Sequence, residues 1–397
     1  MEPFDTIFWI CTSVLFFCYL GYGILLFLIN GIKRLFVHGK INELKEPHAV
    51  TLIVASFNEA EVLESKIRNT LAIRYPPEFF DIIFVVDGST DSSVEIIKKY
   101  PSIRLMIHEK RKGKLAAIKT AMHDVKTPVV IFSDANAMLN EDCAWKIVKH
   151  YADSKVGGVA GEKKIISNKT SSALREAEGL YWKYESFMKK QDADLNTVIG
   201  AAGELFSIRT DLFREIRDDL VLDDFIISMN ICLQGYKIEY EPGAYASETP
   251  SGSLAEEEKR KVRISAGAYQ SIRYLKEALN IFKHPLLSFQ YIFRRFFRWT
   301  LCPIFIILLL ISNIIIEIIS PRSDFFFWAL CFQLLFYLFA MIGWLLVKTG
   351  HSASILNIPF YFVFMNYCLI KGMITYMRGR QTVLWEKSYR EPILFKK

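Results

Sequence analysis

The sequence predicts a parallel α/β domain set between membrane-spanning helices, and two observations carry this. First, the 397 residues are 52% hydrophobic and 14% aromatic, with a positive mean hydropathy. The apolar surplus gathers at 1–30 and 299–377, leaving most of the charge in 33–284. Second, within that charged middle, short runs rich in Val and Ile alternate with charged helical stretches, the pattern of strands buried on both faces. The composition excludes disordered, collagen-like and disulfide-scaffold classes. A net charge of +7 suits an anionic membrane surface better than nucleic acid.

Residues 7–29 are 23 uncharged positions, which as a helix span about 35 Å, enough for a bilayer core. Glu2 and Asp5 stand where a secretion signal would carry basic residues, and the run is too long for a signal core. Lys33, Arg34 and Lys40 come next. By the positive-inside rule this predicts an N-terminus outside and a globular region, 33–283, in the cytoplasm. No pair among the seven cysteines has CxxC spacing, so they read as buried thiols of a reducing compartment.

In the globular region, AVTLIVAS at 49–56, IIFVV at 82–86 and VVIF at 129–132 each end in polar residues. In parallel α/β sheets ligands bind at the carboxyl ends of strands. Asn58 and Glu59, then Asp87, Ser89, Thr90 and Asp91, then Asp134 and Asn136 fall at those ends, which predicts a site there. HEKRKGK at 108–114 comes after a fourth strand-like run at 103–107. Gly113 between Lys112 and Lys114, ahead of a helix, can bring N–H groups and ammoniums to a phosphate. No GxxxxGK[ST] and no GxGxxG after a strand occurs, which argues against NTPase and dinucleotide chemistry. Carboxylates beside a diphosphate imply a divalent cation, and Asp134-Ala-Asn136 could hold Mg²⁺ or Mn²⁺. LVLDDFII at 220–227 sets Asp223 and Asp224 in an apolar stretch. Burial there raises a carboxylate pKa toward base function, although either acid could instead cap a helix. KRKVRI at 259–264 could clamp a diphosphate or form a solvated face.

Residues 284–298 carry Leu286, Phe289, Phe293, Phe296 and Phe297 at helical spacing, with Arg294, Arg295 and Arg298 near the end. This predicts an interfacial helix with its arginines toward lipid headgroups. Uncharged stretches at 299–316, 325–347 and 352–370 predict two to three further spans in 299–377. Three would export the tail, yet 378–397 holds six basic residues against Glu386 and Glu391, which favours a cytoplasmic tail. Either the tail is exported or the last stretch re-enters or lies flat.

Seven motifs in order resemble the family 2 glycosyltransferases: SFNE (56–59), VDGSTD (86–91), KRKGK (110–114), FSDAN (132–136), GAAGE (200–204), LDDF (222–225) and EPGA (241–244). More narrowly, the chain resembles the membrane-integrated members, which include cellulose, chitin, hyaluronan and poly-N-acetylglucosamine synthases. The resemblance covers 49–270 and extends to the flanking spans. It implies a GT-A fold, a Rossmann-like sheet that binds a nucleotide sugar, usually a UDP-sugar, and inversion at the anomeric carbon. Donor contacts are implied for Ser56, Asn58, Glu59, Asp87, Lys112, Lys114, Asp134, Asn136 and Arg263, with Glu59 and Asp87 toward nucleobase and ribose. Acceptor contacts are implied for Gly203 and Glu204, a metal for Asp134 and Asn136, and a general base for Asp224 with Asp223 beside it. Asn136 stands where the family's D-x-D has its second Asp. At 260–264 Arg263 matches the Q-x-x-R-W of polymer synthases, but the Gln and Trp are absent, which leaves room for single-sugar transfer to a lipid acceptor such as polyprenyl phosphate or diacylglycerol. The expected partners are a nucleotide sugar, a glycan or lipid-linked acceptor and the bilayer, and no nucleic acid. Four spans are lean for polymer export, leaving room for a homo-oligomer or an export partner.

Overall fold

The computed structural model describes residues 3–36, 46–166, 173–249, 253–319, 324–351 and 353–384. Lys40 and the basic residues after 384 lie outside them. In chain order the elements used below are α1 (Pro3–Phe36), β1 (Val50–Ser56), α2 (Ala60–Leu71), β2 (Phe80–Asp87), β3 (Arg104–His108), α3 (Lys114–Asp124), β4 (Val129–Asp134), β5 (Met138–Leu139), β6 (Val156–Ile165), α4 (Ala173–Leu195), β7 (Phe206–Arg209), α5 (Asp223–Leu233), β8 (Lys237–Glu248), α6 (Leu254–Tyr274), α7 (Leu301–Ile319), α8 (Asp324–Lys348) and α9 (Ser354–Met377). The chain divides into two compact units, one of 34–167, 185–252 and 382–397, the other of 1–33, 168–184 and 253–381.

The first unit is built on an eight-stranded sheet of order β3-β2-β1-β4-β7-β6-β8-β5. Strands β1, β2 and β4 form where continuous Val/Ile runs bury both faces, while the edge strand β3 is largely open; β1 pairs in parallel with β2 and β4, as β2 does with β3. The rest is mixed: β7 runs antiparallel to β4 and β6, and β8 is parallel to β6 but antiparallel to β5. The sheet is therefore a GT-A-like mixed sheet and not the all-parallel one that the first four strands suggest. Its register aligns Ser56 with Val86 and Ala55 with Asp134, so the carboxyl ends of β1, β2 and β4 share one edge. Val50, Leu52, Val54, Phe84, Val86 and Ile131 point to one core with Leu63 and Ile67 of α2.

The second unit is helical. Four helices, α1, α7, α8 and the 355–377 stretch of α9, are long and apolar enough to cross a bilayer. Ile10, Phe16, Leu20 and Phe27 of α1 are more than half exposed, as expected of side chains meant for lipid. Phe8 sets α1 against α8, its ring edge-on to Phe325 and Phe326. Helix α9 lies along α6, where a Cβ on Gly372 would strike Ser265 and come 2.8 Å from the Ala266 nitrogen. Lys371 bonds Glu258 at 2.5 Å, and Tyr367 reaches the same carboxylate at 3.3 Å. The face of α6 that meets α9 belongs to a helix with seven charged residues between Glu256 and Arg263.

The 284–298 helix forms as Pro285–Tyr291 and Phe297–Trp299 around a π-helical turn, Ile292–Phe296. Arg294 is 1% exposed, so it does not face headgroups as its spacing suggested. A π-turn holds one residue more than an α-turn and rotates the side chains around it relative to α-helical spacing, turning Arg294 inward. Arg295 lies over Trp299, and Arg298 over Tyr19 and Tyr184. All seven cysteines are free and six are buried.

Candidate active site

The β1–α2 turn needs one residue in the left-handed region, and Asn58 supplies it at φ 53°, a conformation Asn tolerates better than bulky residues. From there it laces the turn to the loop after β2. The Asn58 N–H donates to Ser89 Oγ at 3.0 Å, its Oδ1 accepts from Thr90 N at 2.8 Å, and Ala60 N donates to Asp91 at 2.9 Å. Ser56 is buried, its hydroxyl donating to Val85 O at 3.4 Å, and Glu59 precedes the first turn of α2.

Asp87 has no exposed surface. One of its oxygens accepts from Lys112 N at 2.9 Å and meets His108 Nδ1 at 2.8 Å, and the other accepts from Gly113 N at 2.7 Å. Its carboxylate thus holds the basic loop from behind. Gly88 and Gly113 take φ 64° and 102°, and a Cβ on Gly88 would collide with the Arg111 backbone. The loop leaves Lys112 exposed and starts α3 at Lys114.

Lys114 carries the loop's charge to the end of β4, where its ammonium is ion-paired with Asp134. Burial opposes the charged lysine, but Asp134, Asp223 and Asp224 together hold its pKa above the ordinary value. Burial likewise raises Asp134, against the pull of Lys114. Asp223 and Asp224 open α5. One oxygen of Asp223 is buried without a hydrogen-bond partner. Asp224 accepts from Phe225 N at 2.8 Å, and its pKa is pushed up to about 7 by burial first and then by the neighbouring Asp223 charge. The Gly203 backbone runs over this pair: a Cβ there would lie 2.6 Å from Lys114 Nζ and 3.2 Å from Asp224 Oδ2. Glu204 is ion-paired with Lys163, which also bonds Glu248 at 2.7 Å. Burial opposes ionisation of Glu204, but Lys163 outweighs it and its pKa falls below the carboxylate range.

The structure therefore brings Lys114, Asp134, Gly203, Glu204, Asp223 and Asp224 into one cluster, with Ser56, Asn58, Asp87 and Lys112 on the adjoining loops of the same unit. Arg263 lies on α6 of the helical unit. Sequence reasoning did not find Lys66, His108, Lys163 and Glu248; each is buried among polar partners. Among the described residues no group of three or more His, Cys, Asp or Glu is arranged to hold a metal. The donor set is the Asp134 carboxylate with the half-buried Asn136 amide. That set suits a hard divalent ion that takes its remaining ligands from phosphate and water, and the Lys114 ammonium already shows that a cation is stable beside Asp134. A carboxylate poised near neutrality, next to an ammonium facing a second carboxylate, can take a proton while charge develops on a bound anion.

Residues 51–217 match the family model for glycosyl transferase family 2. The chain is 26% identical over 238 residues to poly-beta-1,6-N-acetyl-D-glucosamine synthase of Staphylococcus aureus strain COL, and 22% over 237 residues to that of Staphylococcus epidermidis. The first match covers 57% of the chain and 56% of the relative, the second 58% and 57%, so the chain spans little more than half the length of these relatives. Its fold is similar to that of a mannosyltransferase from Pyrobaculum calidifontis, solved with GDP-Man and Mn²⁺, with a TM-score of 0.70 and 17% identity over 95% of this chain and all of that one. Residues 51–217 of this chain therefore form a glycosyl transferase family 2 domain.

Proposed function

We propose that this chain transfers a sugar, with inversion, from a nucleotide sugar to a growing polysaccharide or glycan acceptor at the membrane. The observation that carries this reading is the cluster at the end of β4: Asp224, with a pKa near neutrality, beside Lys114 and Asp134. Asp224 takes the proton of the attacking acceptor hydroxyl, and Asp223 beside it keeps that carboxylate basic. Lys114, and Lys112 on the exposed loop, face the diphosphate, where negative charge develops as the donor bond breaks. Asn58 and Glu59 border the nucleoside, and Asp87 serves it through the loop it holds. Gly203 and Glu204 line the acceptor side. Asp134 and Asn136 would hold Mg²⁺ or Mn²⁺, which when bound supplies charge neutralisation of the diphosphate.

A polymer product is supported by the likeness to the staphylococcal synthases, and a UDP-sugar donor by the motif resemblance set out above. Single-sugar transfer to a lipid acceptor is the second reading, favoured by the missing Gln and Trp around Arg263. Purified protein, given UDP- and GDP-sugars with Mg²⁺ or Mn²⁺, should transfer sugar from one donor class, and product mass separates the readings. A polymer ladder excludes single addition; nucleotide release from every donor alike, without product, refutes both.

The proposed location is the plasma membrane, with the catalytic unit in the cytoplasm. The basic residues that follow α1 support an N-terminus outside, and two observations support α7 and α8, among the described residues, as the crossings after the catalytic unit. Helix α9 lies along the charged α6, which hydrocarbon would not tolerate. Val383 and Leu384 also belong to the catalytic unit and come within 4.0 Å of the Cβ position of Gly113. In this reading the basic tail stays inside, in keeping with its charge. A cysteine placed at Lys396 should resist a membrane-impermeant maleimide in intact cells, and one placed at Arg322 should react; labelling of the first would refute this topology.

A further inference from the structure

Behind the Asp134 turn lies a lysine that contacts no solvent. Lys66 of α2 is 0% exposed, and Asn69, three residues on, is 2% exposed; this spacing puts both on one face of the helix. Lys66 Nζ donates to Ser133 Oγ at 2.7 Å and to Ala137 O at 2.5 Å. Asn69 closes a two-bond ring on Leu139, its Nδ2 donating to Leu139 O at 2.7 Å and its Oδ1 accepting from Leu139 N at 2.8 Å. Two side chains, one helical turn apart, therefore grip the 133–139 segment at both ends, with Asp134 and Asn136 between the grips. An ammonium can only donate, so Ser133 must accept from it. That leaves the Ser133 hydroxyl proton for Glu204 O at 3.1 Å or Asp134 O at 3.3 Å. One buried charge thereby orients the turn that carries Asp134 and the strand entry that carries Glu204.

A lysine is an expensive way to fill this space. Burying a charge costs several kcal/mol by order of magnitude, and an apolar side chain of similar volume is often more stable. Burial pushes the Lys66 pKa down to about 7, with the Asp134 charge the largest influence opposing it. Packing alone would favour Met or Leu here.

We propose that Lys66, with Asn69, is a positioning residue that holds the Asp134–Asn136 turn in the arrangement that receives the donor's divalent cation and diphosphate. This rests on the donor-site reading above. The test uses the full chain in detergent or nanodiscs and compares wild type with Lys66→Met, Ser133→Ala and Asn69→Ala. Three quantities are measured: the thermal midpoint without ligand, the Mn²⁺–nucleotide concentration for half-maximal stabilisation, using UDP and GDP in turn, and donor KM against kcat. Partners behind a ligating carboxylate typically contribute about 10–100-fold in metal affinity. Lys66→Met should keep its unliganded midpoint while the half-maximal Mn²⁺–nucleotide concentration and donor KM rise about tenfold. Ser133→Ala and Asn69→Ala should move the same quantities by smaller factors, and they decide the matter if Lys66→Met does not fold. Unchanged metal–nucleotide affinity in the folded variants, with normal binding by wild type, overturns the inference alone. A wild type stabilised by neither Mn²⁺–UDP nor Mn²⁺–GDP overturns the donor-site reading, and this inference with it.

Discussion

The Lys114 ammonium is bonded to the Asp134 carboxylate at the carboxyl edge of the sheet, with Asp223 and Asp224 close enough to raise its pKa further. One cation from the basic loop is thus shared among carboxylates from β4 and the start of α5. A carboxylate in this setting is held back from ionising by burial, and Asp224 is the one it leaves near neutrality.

That setting predicts a pH profile. As a base, Asp224 must be deprotonated, so kcat/KM should rise with pH through about 7 and fall about tenfold per unit below it. The linked effect on stability has the opposite sign. The folded state binds this proton more tightly than the unfolded chain, so stability declines as pH rises from the ordinary carboxylate range toward 7. Thermal midpoints and initial rates across pH 5–9 check both. An Asp224→Asn variant should lose this decline in midpoint.

Gly203 predicts a steric effect on chemistry. Adding one carbon at Gly203→Ala would place it 2.6 Å from Lys114 Nζ and 3.2 Å from Asp224 Oδ2. The lysine end can swing aside, so the fold should survive, but the base and the ammonium are displaced together. Misplacement of reacting groups by about 1 Å can cost about 100-fold. Transfer rate should fall on that order with the thermal midpoint little changed.

Asp87 predicts the reverse balance. Its carboxylate receives two backbone N–H groups and faces the His108 ring, with no exposed surface. In Asp87→Asn an amide NH₂ must face one of these donors, leaving a buried donor unsatisfied at a cost of about 1–3 kcal/mol. The expected outcome is a lowered thermal midpoint together with weaker nucleotide binding, because the Lys112–Lys114 loop loses its anchor. Retained affinity at normal stability would show that the loop needs no such support.

Strands β1, β2 and β4 are legible to within a residue or two because each is a continuous Val/Ile run. Strand β6 is not, because VGGVAGEKKI mixes glycine with charge, and its burial comes from side chains distant in sequence, such as Leu212 and Ile231 over Gly157 and Leu205 over Gly161. Asp134, Asp223 and Asp224 are legible because an acid beside apolar residues calls for a reason. Lys66 and Lys163 are invisible by the same test: a lysine in a charged helix or at a strand end looks solvated until the tertiary fold sets Ser133, Glu204 or Glu248 against it. Arg294 misleads for a local reason, since helical spacing assumes an α-turn where the chain makes a π-turn.

The central claim, that Asp224 takes the acceptor's proton, is tested most directly by sugar transfer with Asp224→Asn, alongside Mn²⁺–nucleotide binding by the same protein. General-base contributions run about 10²–10⁴-fold. The account predicts a loss of kcat in that range with donor affinity within a few-fold of wild type. Transfer at the wild-type rate by a folded Asp224→Asn enzyme would contradict it.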